Sequence, residues 1–264
     1  MHFITLSDRR RLPKKYLMSL SKSLLLSLTV GLAVACNFNP KNAETSTLHI
    51  VFQEEKVQFT QPEKERIHEY LMDSEKEVRS LLPNLPDSIQ VQLEIVDWNL
   101  ESVGGVTGRA ESNSPPLVLI QISNAHANGI LGAIEAGLKS TVYHEFHHLV
   151  RGWAIQDNKF GPGIAIAMVN EGLAEVFAEQ YTGQEFEANH IPEHVNADDW
   201  VEEILALPRD ASYQEWMFEH PDGRSSVGYR TGNHLIKKAM EQSDKTILEL
   251  SNLTPNEIIK LAGY

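Results

Sequence analysis

Apolar and polar residues alternate with period two over residues 89–96 (Ile-Gln-Val-Gln-Leu-Glu-Ile-Val), which predicts a strand with one buried face. Residues 48–52 and 117–122 are apolar runs rich in β-formers and are predicted strands too. Between the first two strands, Ile67, Tyr70, Leu71, Val78, Leu81 and Leu82 recur at helical spacing, and Pro83 and Pro86 end that helix. Residues 104–108 (Gly-Gly-Val-Thr-Gly) read as a turn or loop, without the spacing and following helix of a phosphate cradle. A long helix is predicted over residues 128–152, its first half weakened by Gly129, Gly132 and Gly137. Gly161-Pro162-Gly163 breaks the chain before a second apolar helix over residues 164–180. Shorter helices follow over residues 198–207, 228–240, 246–250 and 255–262, with an aromatic, acidic loop carrying Tyr213, Trp216 and Phe218. Strands come first and helices later, so the class is α+β. The expected form is a small, mainly antiparallel sheet packed on the long helix, then a mostly helical C-terminal half.

The N-terminus changes where this domain is expected to act. The first 35 residues carry Arg9, Arg10, Arg11, Lys14, Lys15 and Lys22 against Asp8, then the apolar run 23–35 ending Ala33-Val34-Ala35-Cys36. A charged region, a short apolar region and small residues describe an export signal. The run is shorter than the roughly 20 residues a membrane span requires. Small residues directly before a cysteine resemble the lipobox of bacterial lipoproteins, with Ala33 where leucine is commonest. That resemblance implies cleavage before Cys36 and lipid on its thiol. Translation can start at Met1 or at Met18, which leaves Lys22 as the signal's charge. Residues 1–35 are thus read as signal, 36–46 as a polar tether and 47–264 as the domain. The expected location is the outer face of a bacterial cytoplasmic membrane, or, with an outer membrane, a periplasmic-facing surface.

The formal charge is −13, and setting the basic first 35 residues aside leaves −18. No clustered basic surface is evident, which argues against nucleic acid as partner. With Cys36 the only cysteine, a disulfide framework and a thiolate zinc site are excluded.

Within the long helix, His144-Glu145-x-x-His148 matches H-E-x-x-H. Residues i and i+4 share a helix face, so both imidazoles can reach one ion while Glu145 takes a proton from water beside it. His147 points away from both and reads as a surface or packing residue. A catalytic zinc takes three protein ligands. Arg151 and Ala154 stand where the metzincin pattern needs glycine and histidine, so that reading fails. Asn170-Glu171-x-x-x-Glu175 lies past the Gly-Pro-Gly break, on a helix able to fold back. Glu171 can then face the histidines, and Glu175 can orient a ligand imidazole.

This pairing of motifs resembles the gluzincins. The stretches YHEFHHLVRG and NEGLAEVFAEQYTG are similar to a bacterial family of predicted zinc-dependent proteases. The resemblance implies a zincin-like fold, one Zn2+ per chain held by His144, His148 and Glu171, Glu145 as base and Glu175 behind the ligands. Glu175 departs from the aspartate of better-known gluzincins. It also implies an oxyanion donor after the third ligand, for which Tyr229, His234 and Arg230 are candidates. A peptide or protein substrate is expected, with the 117–122 strand able to pair with it, and the chain is expected to be a monomer. The competing readings are a non-catalytic metal- or ligand-binding lipoprotein, and a zinc hydrolase of non-peptide amides or esters.

Overall fold

The computed structural model describes residues 47–54 and 57–264; the expected signal and tether, with Cys36, lie outside the described residues. β1 (Thr47–Gln53) leads through α1 (Gln61–Leu81) to β2 (Ser88–Val96). At the start of α1 the Glu63 carboxylate accepts from the Thr60 backbone N–H, and Pro62 sits in the first turn. Ile67, Leu71 and Val78 form its buried stripe. A helical crossover lets neighbouring strands run parallel, and β1 pairs with β2 in parallel, Leu48 opposite Ile89.

β3 (Val106–Asn113) and β4 (Pro116–Ser123) form an antiparallel pair, and β4 slots in parallel beside β2. The order is β1-β2-β4-β3. The α+β class therefore stands, but the sheet is mixed, with two of its three pairings parallel, where a mainly antiparallel sheet was expected. The α1 crossover and the insertion of β4 between β2 and β3 are the cause; strand periodicity carries no information on direction. Gly104 and Gly105 do make a turn, at φ 73° and 83°, yet the expected loop ends there and Val106 begins β3. Its polar composition suits an edge strand with Arg109 exposed.

α2 (Gly129–Ala133) passes into a π turn (Ile134–Leu138) and then α3 (Lys139–Arg151), so the long helix is interrupted in its glycine-rich half. α1 and α3 cover one face of the sheet. Val142 and Phe146 meet Leu71, Leu93, Val118 and Ile120 in a single core. The opposite face presents Gln92, Glu94, Arg109 and Gln121, at least partly exposed.

The C-terminal half contains α4 (Ile164–Thr182), α5 (Ala197–Leu205), α6 (Tyr213–Met217), α7 (Val227–Ser243), α8 (Ile247–Leu250) and α9 (Pro255–Leu261). α6 gives part of the expected aromatic loop a helical turn, capped by the Ser212 hydroxyl. α4 is buried almost throughout. It meets α7 backbone to backbone: a Cβ on Gly172 would lie 2.3 Å from the Gly232 carbonyl carbon. None of the described helices is long and apolar enough to cross a membrane.

Candidate metal centre

The rings of His144 and His148, one turn apart on α3, lie 4.5 Å from each other at 89°. Advancing along α3, His144, His148 and Arg151 meet Glu175, Glu171 and Asn170 in turn, so α4 runs antiparallel to α3. This places Glu171 Oε2 3.1 Å from His144 Nε2 and 3.0 Å from His148 Nε2. The ligand atoms of the three residues lie within 4.8 Å of one another.

The surroundings orient each group. His144 Nδ1 is 3.2 Å from Glu175 Oε1, and Asn189 donates to the other Glu175 oxygen. An imidazole that donates from Nδ1 presents a lone pair at Nε2. Here that lone pair would face a carboxylate, an arrangement that repels unless a cation lies between them. Two imidazole nitrogens and a carboxylate oxygen suit Zn2+. The residues fit the metal.

Glu171 Oε1 accepts from the Trp153 indole N–H at 2.9 Å and from the Tyr213 hydroxyl at 3.4 Å, which leaves Oε2 for the histidines. Burial pushes the Glu171 carboxyl up, but His148 and His144 outweigh it and hold it well below the usual carboxylate range. Burial likewise lowers His144, and Glu175 with Glu171 overrides it to leave the imidazole well above its ordinary value. Trp153 reaches Glu171 because α3 ends in a Schellman turn: Gly152 is left-handed at φ 70°, and Trp153 N–H bonds His148 O at 2.9 Å.

Asn170 supports the same junction. Its Oδ1 accepts from the buried Arg151 guanidinium at 3.1 and 3.2 Å, while Arg151 also reaches the carbonyls of Ser251 and Leu253. No carboxylate pairs with Arg151 among the described residues, and burial lowers its pKa to about 10.

Glu145 is buried under β3. A Cβ on Gly108 would fall 2.8 Å from Glu145 Cγ, so β3 can cross this close only with glycine there. Burial raises the Glu145 pKa, against the pull of His144 and His148 and a hydrogen bond from the Ala110 backbone. Its Oε2 has no partner among the described residues. A cleft of about 840 Å³ opens over these groups, lined by β3 residues 106–110 and by Trp153, Ile155, Tyr213, Phe218 and Tyr229.

The candidate donors separate. Tyr229 lines the cleft beside Tyr213, and burial raises the pKa of both hydroxyls, keeping them protonated. His234 is not brought there; it pairs with Asp198 at 3.3 Å. Five residues along α7 rotate a side chain by about 140°, onto another face. Arg230 turns instead to the carbonyls of His190 and Ser225. His147 is fully buried, a packing residue 2.8 Å from Ser251 Oγ.

Residues 116–260 match the family described as "Predicted Zn-dependent protease (DUF2268)". The chain belongs to this family. The matched stretch runs from β4 into α9 and holds every residue above except those of β3. The Bacillus subtilis (strain 168) protein described as "Uncharacterized protein YjfC" is 28% identical over 141 residues. That alignment covers 48% of this chain and 47% of the relative, so it spans about half the relative's length. No solved structure matches.

Sequence reasoning missed Trp153 and Tyr213 as partners of Glu171. Trp153 follows the Gly152 stop signal directly, which was a usable hint. Tyr213 is 42 residues from Glu171 and arrives only through the path of α5 and α6.

Proposed function

We propose that the protein hydrolyses peptide bonds with one zinc held by His144, His148 and Glu171, and that lipid on Cys36 anchors it outside the cytoplasm. The observation that carries the reading is the convergence of both Nε2 atoms on Glu171 Oε2 beside a buried Glu145. Zinc bound there supplies a Lewis acid and lowers the pKa of a water. Glu145, buried beside the site, takes the proton from the attacking water and delivers it to the leaving amine. Tyr229, protonated at neutral pH, offers an O–H donor to the developing oxyanion, while the Tyr213 hydroxyl donates to Glu171.

Substrate pairing belongs to β3 rather than to the 117–122 strand. β4 is enclosed between β2 and β3, whereas β3 is the sheet edge that borders the cleft. A structural or carrier metal site has no use for Glu145, which disfavours the non-catalytic reading. Glu145→Gln tests the mechanism: the variant should keep zinc and lose hydrolysis, and full activity in it would sink the mechanism.

A further inference from the structure

The edge of β3 is open over only part of its length. Ile155 N–H donates to Ala110 O and Gln156 N–H to Glu111 O, each at 3.0 Å. Asp157 Oδ1 accepts from the Asn113 backbone N–H at 2.7 Å and from its side-chain amide at 3.0 Å. The Gln156 side chain adds a bond to Glu111 Oε1 at 2.8 Å. Residues 155–157 thus lie where an added strand would continue, and they occupy the Ala110 and Glu111 carbonyls and the Asn113 N–H that it would use. The closed stretch begins at Ala110, two residues past Gly108, where β3 packs against the Glu145 side chain. The block therefore stands directly beside the base, while residues 106–109 stay open to the cleft.

Resting on the peptidase reading above, we propose that this enzyme acts at chain ends, releasing short amino-terminal pieces instead of cutting within a chain. Antiparallel pairing is the more stable and commoner arrangement for an added strand. Such a substrate runs from beside Ala110 toward Val106, so its amino end meets residues 155–157. Because the block begins beside the base, only about one or two residues, at 3.3–3.4 Å each, fit on the amino side of the bond to be cut. The carboxyl-terminal side extends freely along Val106. Ile155, 64% exposed, and Phe218, 45% exposed, line the same cleft and offer apolar contact to the bound end.

The test uses one peptide of about ten residues in three forms, free, amino-acetylated and carboxy-amidated, digested by the zinc-loaded full chain and read by mass spectrometry. Release of one or two residues from the free and amidated forms, with the acetylated form spared, is the expected result. Binding of the same peptides to Glu145→Gln by calorimetry should follow that order without turnover. Asp157→Ala, checked for an unchanged circular dichroism spectrum, should gain cleavage of the acetylated peptide. Internal cuts in all three forms, or trimming from the carboxyl end, overturn the proposal and leave the peptidase reading intact. Zinc-loaded protein that cuts and binds none of them overturns both.

Discussion

Glu175 Oε1 lies 3.2 Å from Nδ1 of His144, close enough to hold the imidazole in the tautomer that turns its Nε2 toward Glu171. His148 has no such support, since its Nδ1 has no partner among the described residues. Of the two ligand imidazoles, His144 is the one that Glu175 orients. Glu175→Ala should weaken zinc binding about 10- to 100-fold, measured by competition with a chelator, while the fold persists. Unchanged affinity would show that Glu175 does not orient the ligand.

Trp153 acts on the other side of the site. Its indole N–H holds Glu171 Oε1. Trp153→Phe keeps an aromatic ring there and removes the donor. Zinc affinity should fall about tenfold, with the melting temperature of the metal-free protein nearly unchanged. Equal affinity in the two proteins would assign Trp153 to packing alone.

The crossing of α4 and α7 is a point of stability with no chemistry of its own. A Cβ at Gly232 would lie 2.2 Å from Met168 O and 3.0 Å from the Gly172 backbone. Gly232→Ala must push the helices apart, at a cost of ~1–3 kcal/mol. In a domain of this size each kcal/mol lowers Tm by about 2–4 °C. A thermal melt that matches the native protein would contradict the close crossing.

His147 makes stability depend on pH. Burial, with His148 and Arg151 adding repulsion, holds its pKa well below the ordinary 6.5. Below that value the unfolded chain binds a proton that the folded chain refuses. The contribution is therefore complete above pH 6.5 and is lost as pH falls beneath it, at up to about 1.4 kcal/mol per pH unit. In metal-free protein, denaturant melts between pH 5 and pH 7 should show a shallower slope for His147→Leu than for the native chain. Identical slopes would refute the assignment.

Some of this was legible in the sequence for plain physical reasons. His144 and His148 are tied by helix geometry alone, and Glu171 and Glu175 repeat one turn apart on the next helix, so local periodicity sufficed to pair them. β3 escaped because its strand character comes from pairing with β4 and not from apolar composition; Gly108, which made it look like a loop, is what lets it cross Glu145. Strand direction was invisible for a similar reason, being set by the α1 crossover. Gly172 and Gly232 weaken helix propensity in isolation, and only the contact between α4 and α7 explains them. Tyr229 and His234 looked equivalent as types, and their separation depends on which face of α7 meets the cleft.

Zinc content is the most direct test of the central claim that His144, His148 and Glu171 hold the metal. The purified full chain and its Glu171→Ala variant, dialysed side by side, should be compared by elemental analysis and by circular dichroism. About one zinc per chain is expected in the native protein, with most of it lost from a folded Glu171→Ala. Equal zinc in both proteins, or none in the native chain after loading, would contradict the account.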